Sequence, residues 1–134
     1  MSDATSVSLA VNGTLMRGFA LNRNLLAVGA TFVYEAVTAP IYRLWSIDDQ
    51  YPAMLRVTAD GAVIALEVWA VPMLHLRTIL LQEPPGLCLG KILLADQSII
   101  LGVLGEPYIC KGKRDITASG GWRAYMGGGL QGGA

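Results

Sequence analysis

We predict an α+β fold in which a mostly antiparallel β-sheet, curled toward a barrel, packs with two main helices. Seven short runs of β-branched and apolar residues alternate with turn signals, and such spacing is typical of sheets built from short strands. Asp60-Gly61 stands between two of these runs, and Asp-Gly in that position favours a hairpin. Residues 18–29 and 72–82 have the apolar spacing of helices, and residues 120–126 could add a last helical turn or a strand.

The first half of the chain supplies four of the strands and the shorter helix. The first strand, at residues 7–11, is interrupted by Asn12-Gly13-Thr14, and the helix within residues 18–29 takes Asn22 as its N-cap. Three further runs are apolar or alternate between two faces, and they lie at residues 30–38, 41–47 and 53–58.

The second half contains the other three strands and the longer helix. The strands are predicted at residues 62–70, 88–95 and 98–104, and the last two form a second hairpin that turns at Asp96-Gln97. Pro72 suits the first turn of a helix, which is predicted to run to Gln82 and to end before Pro84. The domain spans residues 1–126, and the Gly-rich residues 127–134 are expected to be a flexible tail.

The composition of the chain narrows the classes of partner. The 134 residues are 53% hydrophobic, which fits one globular domain with a core of its own. Lys and Arg number 10, as do Asp and Glu, so the formal net charge is zero. A neutral chain is not expected to bind nucleic acid or an anionic membrane surface, because both need a surplus of positive charge. We see no transmembrane segment and no signal peptide, and we expect a cytoplasmic protein.

Few residues are available to hold a metal ion or to form disulfides. The chain has two cysteines and one histidine, with no pair of cysteines at metal-binding spacing, so we expect no metal site and no cofactor.

Only 15% of the residues are charged, and the mean hydropathy is +0.47. So little polar surface on a small domain favours self-association, and we expect a homodimer.

The loop after the first strand is the first candidate binding site. Asn12, Gly13, Thr14 and Leu15 follow the strand directly, and a loop of this kind can point consecutive backbone N–H groups at one spot. Such groups bind a carboxylate or stabilise an oxyanion. A bulky side chain at Gly13 is then expected to fill the space beside these donors. The alternative is an ordinary turn between a strand and a helix.

Glu83 is the candidate catalytic residue. It ends the longer helix, where the negative end of the helix dipole disfavours its charged form. Leu80, Leu81 and Leu87 are apolar neighbours of Glu83 in the sequence, and they are expected to raise its pKa further, as a general base working near neutral pH requires. We expect its carboxylate to lie near the loop at residues 12–15, so that one small substrate touches both. The alternative is a solvated glutamate at the end of a helix.

Three further residues complete the candidate site. Arg43 could clamp the carboxylate of a ligand with two hydrogen bonds, although it could equally pair with Asp48 or Asp49 or stack on a neighbouring tryptophan. Tyr51 and Pro52 form an aromatic–proline element at the edge of a strand. We expect all three residues to contact the substrate.

Taken together, three motifs resemble those of the gamma-glutamylcyclotransferase-like superfamily. The segment Asn12-Gly13-Thr14-Leu15-Met16-Arg17-Gly18 is similar to its Tyr-Gly-Thr-Leu-Lys-Arg-Gly start, and Tyr51-Pro52-Ala53 is similar to its aromatic-Pro-Ala/Gly element. Glu83 stands where that superfamily carries its catalytic glutamate. The resemblance implies a curled sheet with two main helices and a reaction in which Glu83 accepts a proton from the α-ammonium of the substrate. The freed amine then closes a 5-oxoproline ring, while Gly13, Thr14 and Leu15 hold substrate oxygens through their N–H groups.

Other motifs more closely resemble the C-terminal domain of allophanate hydrolase, which has the same fold. They are Thr38-Ala39-Pro40-Ile41-Tyr42-Arg43-Leu44, Glu67-Val68-Trp69, Asp115-Ile116-Thr117 and Gly120-Gly121-Trp122-Arg123-Ala124-Tyr125. In that family the domain decarboxylates the N-carboxycarbamate that an amidase domain leaves behind, and its first loop carries a histidine where this chain has Leu15. This departure counts against allophanate decarboxylation in its usual form and favours the branch of the superfamily that uses a glutamate.

We expect a stand-alone domain that acts on a small amide or an amino-acid-derived carboxylate, by cyclotransferase or lyase chemistry without a cofactor. A second interpretation is an accessory of the allophanate or urea pathway, which decarboxylates N-carboxycarbamate or supports a separate amidase. A third is a non-catalytic small-molecule binding module. Burial of Glu83 beside the loop at residues 12–15 would favour an enzyme, whereas an exposed Glu83 would favour a binding module.

Overall fold

A computed structural model describes the backbone of residues 5–133 and the side chains of residues 5–127. Within these residues the chain forms eight strands: β1 (Ser6–Val11), β2 (Thr31–Val37), β3 (Tyr42–Ile47), β4 (Tyr51–Arg56), β5 (Ala65–Pro72), β6 (Leu87–Leu93), β7 (Ile99–Gly105) and β8 (Arg114–Asp115). The helices are α1 (Asn22–Ala27), α2 (Leu76–Leu81) and α3 (Trp122–Gly133). The seven predicted strands are present, and the α+β class is confirmed.

The strands form two sheets, which are antiparallel except at one pair. The larger sheet has the order β2-β5-β1-β7-β6, and only β1 and β7 run parallel in it. The smaller sheet has the order β4-β3-β8. The larger sheet curls enough for its two outer strands to meet at one end. There the Ala39 N–H donates to the Leu93 carbonyl, and the Ala95 N–H donates to the Val37 carbonyl, each at 3.0 Å.

The main core draws buried residues from both sheets and from all three helices. Strand β3 shows how the alternation of the sequence produces it, because Tyr42 and Leu44 are fully buried while the intervening Arg43 is half-buried. Trp122, at the start of α3, is also buried in this core. The Tyr42 hydroxyl additionally accepts a hydrogen bond from the Leu93 N–H at 2.9 Å. Tyr42 therefore links the smaller sheet to the curled edge of the larger one.

The expected hairpin at Asp60-Gly61 is wrong, although the turn itself exists. Strand β4 pairs with β3, whereas β5 pairs with β1 and β2, so the Asp60-Gly61 turn connects the two sheets. Asp60 has a φ of +60°, and a Cβ on Gly61 would lie 2.6 Å from the Ile41 Cα. The turn chemistry was therefore predicted correctly, while the pairing is decided by burial over longer distances.

The second predicted hairpin is confirmed. Strands β6 and β7 pair in the register that a turn at Asp96-Gln97 requires, with Leu93 opposite Ile99. Gln97 has a φ of +77°, and the Asp96 side chain accepts a hydrogen bond from the Ser98 N–H at 2.9 Å. Such local bonds from aspartate stabilise turns.

Both predicted helices are shorter than expected. Asn22 does not cap α1; it is the first helical residue, and its Nδ2 donates to the Leu15 carbonyl at 2.7 Å. Pro72 ends β5 rather than beginning a helix, and a 3₁₀ turn at Met73–His75 precedes α2.

The flexible tail expected at residues 127–134 stays a prediction, since the side chains of residues 128–134 lie outside the described part of the structure. Among residues 5–133, no helix combines the length and apolarity needed to cross a membrane.

Candidate functional site

The loop after β1 and the segment between α2 and β6 meet around one small cavity. The cavity lies where β1 and β7 end and where β4 and β6 begin, because β1 and β7 run parallel while β6 runs against them. The residues that line it come from four segments of the chain: Val11, Asn12, Gly13, Thr14, Leu15, Tyr51, Pro52, Glu83, Leu87 and Val103. Seven of the eight expected site residues are thus brought together.

The loop leaves a row of backbone donors without acceptors. Its carbonyl groups are used: that of Gly13 accepts from the Met16 N–H, and that of Thr14 accepts from the Leu21 N–H, each at 3.0 Å. The N–H groups of Gly13, Thr14 and Leu15 donate to no acceptor within residues 5–127. Buried donors normally find a partner, so these N–H groups are available to water or to a ligand.

Asn12 fixes the start of this loop. It is 4% exposed, and its Nδ2 donates to the Val103 carbonyl on β7 at 2.8 Å. The bond ties the end of β1 to the neighbouring parallel strand, just beyond the two residue pairs that β1 and β7 form. Asn12 therefore holds the first residue of the loop against the floor of the cavity.

Glu83 is largely buried and lacks a partner for one oxygen. Its Oε2 atom has no solvent exposure and no hydrogen bond within the described part of the chain. Burial raises the pKa of this carboxyl from 4.5 to about 7. Desolvation is the cause, because charge is disfavoured away from water; the helix end that we invoked is not needed. The alternative of a solvated glutamate is wrong.

The apolar surroundings of Glu83 differ in part from those expected. Leu87 lines the cavity beside it, whereas Leu81 points outward and is 69% exposed. The desolvating neighbours therefore come from the strands, at Val11 and Val103, as well as from Leu87. The cavity itself measures about 10 Å³, roughly the room that one water molecule needs.

Tyr51 lines the same cavity and is half-buried. Burial, and to a smaller extent the charge of Asp48, raises the pKa of its phenol, with Lys113 opposing the shift. Tyr51 therefore stays protonated at neutral pH and can donate a hydrogen bond.

Gly13 is needed for a different reason than the sequence indicated. A Cβ on Gly13 would lie 2.5 Å from the Cδ of Pro52, so a side chain there meets the proline ring rather than the space beside the donors. The absence of a side chain lets the loop approach β4 closely. Our expectation that a larger residue at Gly13 acts by blocking substrate is corrected: it would first displace the loop from Pro52.

Arg43 is the expected site residue that lies elsewhere. Its Nε donates to the Asp115 carboxylate at 2.9 Å, and its Nη1 donates to the Asp60 carbonyl. It therefore ties β3 to β8 and to the turn at Asp60, and it does not line the cavity. The sequence favoured Asp48 or Asp49 as ionic partners because they are near in the chain, whereas Asp115 is 72 residues away.

Comparison with known proteins identifies the family. A model of the allophanate hydrolase C-terminal domain matches residues 7–127. The chain belongs to this family. It is 33% identical over 130 residues to the urea amidolyase of Saccharomyces cerevisiae, a match that covers 92% of this chain and 7% of that protein.

Solved structures agree with that assignment. A uropathogenic E. coli-specific protein is 49% identical with a TM-score of 0.90, over 92% of this chain and 97% of that one. The allophanate hydrolase of Kluyveromyces lactis is 27% identical with a TM-score of 0.85, over 90% of this chain and 21% of that one. An AIG2-like protein from Mus musculus, at 18% identity and a TM-score of 0.54 over 75% of this chain and 76% of that one, shares the fold alone. The fold is thus gamma-glutamylcyclotransferase-like.

The chain also holds a charged cluster that the sequence analysis did not predict. Glu67, on β5, is 2% exposed and accepts hydrogen bonds from Arg17, Trp69 and Arg123. A more open and mostly apolar cleft of about 540 Å³ lies beside it, between β2, β5 and α3. The available signal was a lone glutamate inside the apolar run at residues 62–70, since a buried carboxylate needs partners.

Proposed function

We propose that this chain is a small-molecule enzyme in which Glu83 exchanges a proton with the substrate. The N–H groups of Gly13, Thr14 and Leu15 hold oxygens of that substrate. The observation that supports the proposal is the buried Oε2 of Glu83, which lacks a partner on the same cavity as three unpaired backbone donors. A buried carboxyl without a partner costs stability, so a functional use accounts for its presence.

The pKa of Glu83 suits it to move a proton in either direction. At about 7, the carboxyl is partly ionised at neutral pH, and a general base works best when its pKa is near the working pH. In the cyclotransferase reaction, Glu83 accepts a proton from the α-ammonium of a γ-glutamyl amide. The freed amine attacks the γ-carbonyl and the ring C–N bond forms, and the amide C–N bond breaks as Glu83 passes its proton to the leaving amine. The ring nitrogen gives up its second proton, which the amine carries away as an ammonium ion. The three loop N–H groups stabilise the oxyanion.

The size of the cavity constrains how a substrate enters. A space of about 10 Å³ admits a water molecule but not an amino-acid derivative. A substrate therefore requires a lining side chain to move, and we propose that Tyr51, which is half-buried while the neighbouring Pro52 is buried, swings away to admit it. Side-chain rearrangements of this size are common when ligands bind.

A second candidate function is favoured by the family and by the urea amidolyase match. In it the chain decarboxylates N-carboxycarbamate or supports a separate amidase. The bond between nitrogen and the departing carboxyl carbon breaks, CO₂ leaves, and the nitrogen takes up a proton that the neutral form of Glu83 supplies. The chain spans 7% of the yeast protein, so the activity of that whole protein is not carried over. A non-catalytic binding module is the third interpretation.

The test compares two substrate classes on the native protein and on Glu83→Gln. γ-Glutamyl amines are assayed for 5-oxoproline, and N-carboxycarbamate, generated from allophanate by a separate amidase, is assayed for CO₂ release. The matched control is Glu106→Gln, the same change at an exposed glutamate. We expect turnover of one class to fall about 10²–10⁴-fold in Glu83→Gln only.

The possible outcomes of this comparison distinguish the three interpretations from one another. 5-Oxoproline formation supports the cyclotransferase reaction, and CO₂ release supports the urea-pathway reaction. Full activity in Glu83→Gln would remove Glu83 from the mechanism. Saturable binding of a substrate without turnover would leave the binding module ahead.

A further inference from the structure

We propose that Glu67 is a positioning residue, which fixes the shape of the loop at residues 12–17 and so keeps the Gly13–Leu15 N–H groups available. The role in substrate binding rests on the proposed function of that loop. The hydrogen bonds that Glu67 accepts from Arg17, Trp69 and Arg123, which we call the clamp, do not depend on it. The motifs that carry Glu67, Arg17 and Arg123 are far apart in the chain, and neither Glu67 nor its partners line the cavity of Glu83.

The loop begins and ends on the same residue. Val11, the last residue of β1, is the backbone partner of Glu67 in the antiparallel pair of β1 and β5. The chain then makes the turn at residues 12–16 and returns to Glu67 at Arg17, whose N–H donates to Glu67 Oε1 at 3.0 Å. The strand pairing and the carboxylate of Glu67 together close the loop, and residues 12–16 span between these two fixed points.

Further bonds fix the orientation of Arg17. Its Nε donates to Glu67 Oε2 at 3.1 Å, and its carbonyl accepts a hydrogen bond from Arg123 Nη2 at 2.8 Å. The same Nη2 atom donates to Glu67 Oε2 at 2.9 Å. Arg17 is thus held through its amide, its side chain and its carbonyl, which removes the rotations that would let the loop change shape.

The carboxylate of Glu67 is saturated and stays charged. Oε1 accepts from the Arg17 N–H and from Trp69 Nε1, each at 3.0 Å, while Oε2 accepts from both guanidinium groups. Burial alone would raise the pKa of Glu67, but the bonds from Arg17 and Trp69 outweigh it and lower the pKa. With no free acceptor site, Glu67 is suited to holding the chain rather than to binding a ligand.

A neighbouring glutamate provides a matched control. Glu35 accepts from Arg17 Nη2 at 2.8 Å, but its side chain is 70% exposed, and among the described residues it accepts no hydrogen bond from the backbone of the loop. Both Glu35 and Glu67 therefore pair with Arg17, and only Glu67 also holds its backbone. Glu35→Gln removes a negative charge that faces the same arginine, and it removes no hydrogen bond to the backbone of the loop.

The experiment records amide NMR spectra of ¹⁵N-labelled protein for the native chain, Glu67→Gln and Glu35→Gln. In Glu67→Gln, an NH₂ group replaces one carboxylate oxygen and faces two N–H donors in either orientation of the amide, so we expect the amide signals of residues 13–15 to shift or broaden. Glu35→Gln should leave those signals in place. Should Glu67→Gln fail to fold, Arg17→Met weakens the same clamp from its half-exposed side and is expected to move the same signals.

The spectra test whether the clamp fixes the loop, and this test needs no assay of turnover. Unchanged signals from residues 13–15 in folded Glu67→Gln or Arg17→Met would overturn the proposal, and an equal response in Glu35→Gln would do the same. If the native chain turns over no substrate, the proposed function fails while this test still stands. Where a substrate is found, we expect kcat/KM to fall about 10–100-fold in Glu67→Gln. The midpoint of its pH profile should stay where Glu83 sets it, because a positioning residue alters geometry rather than the titrating group.

Discussion

Pro52 lies so close to Gly13 that a Cβ on the glycine would meet the proline Cδ at 2.5 Å. Pro52 is fully buried in β4 and belongs to the smaller sheet, whereas Gly13 follows β1 of the larger sheet. The contact therefore sets how closely the two sheets approach at the mouth of the cavity.

Gly13→Ala should destabilise the protein by about 1–3 kcal/mol, the usual cost of forcing a methyl group into a packed site. Urea denaturation measures this change in the free energy of unfolding. Gly127→Ala is the control, because a Cβ there meets nothing within 4 Å, and it should be neutral or slightly stabilising. A Gly13→Ala variant as stable as the native chain would show that the contact with Pro52 relaxes at no cost.

Glu83→Gln should stabilise the folded protein at high pH. The pKa of Glu83 is raised from 4.5 to about 7, so the folded state binds more protons than the unfolded state between these values. Native stability therefore falls as pH rises through this window, and the full loss is about 3 kcal/mol above it. Glutamine has no charge to bury, so the advantage of the variant should grow by about 2 kcal/mol between about pH 5 and about pH 8. A constant difference across that range would contradict the buried position of the carboxyl.

Thr38→Val should cost about 1–3 kcal/mol, although valine has nearly the same shape. The buried Thr38 hydroxyl accepts from the Ile64 N–H at 3.0 Å and donates to the Ala39 carbonyl at 2.8 Å. Valine leaves both backbone groups without that partner in the interior. Thr31→Val, on the exposed side of β2, is the control. Thermal denaturation should show that its free energy of unfolding changes by less than about 0.5 kcal/mol. Equal effects of the two changes would argue against the buried hydrogen bonds.

Arg43→Met should leave any activity that depends on Glu83 unchanged. Arg43 pairs with Asp115 outside the cavity, and partly exposed ion pairs contribute up to about 1 kcal/mol. The pKa of Asp115 should rise in this variant, because the bond from Arg43 helps to hold it low against the effect of burial. A tenfold loss of turnover at unchanged folding would return Arg43 to the site.

Much of the fold could be predicted because the signals are local. Apolar alternation places β3, and the turn at Asp96-Gln97 places the hairpin of β6 and β7, since neighbours in the chain supply both the pattern and the partner. The pairing of β4 and β5 could not be predicted in the same way. The Asp60-Gly61 turn is compatible with a hairpin, and only packing between the sheets decides that β5 pairs with β1 and β2.

The candidate site, like the fold, could be predicted where its signals are local in the sequence and could not be predicted where its partners are distant. Glu83 and the loop at residues 12–15 could be predicted, because a proline-flanked glutamate and a glycine loop after a strand are visible in the sequence. The ionic partners of Arg43 and Glu67 could not, since these partners lie at least 50 positions away in the sequence and only the folded chain brings them near. The closeness of Gly13 to Pro52 was hidden for the same reason.

The most direct test of the account is a ¹³C NMR titration of the Glu83 carboxyl, assigned by its absence in Glu83→Gln, together with the amide signals of residues 13–15. We predict a Glu83 pKa of about 7 and loop amide shifts with the same midpoint, because both line one cavity. A carboxyl that titrates near its ordinary value of 4.5, or loop amides that do not respond to it, would contradict the claim that Glu83 and the loop form one proton-transfer site.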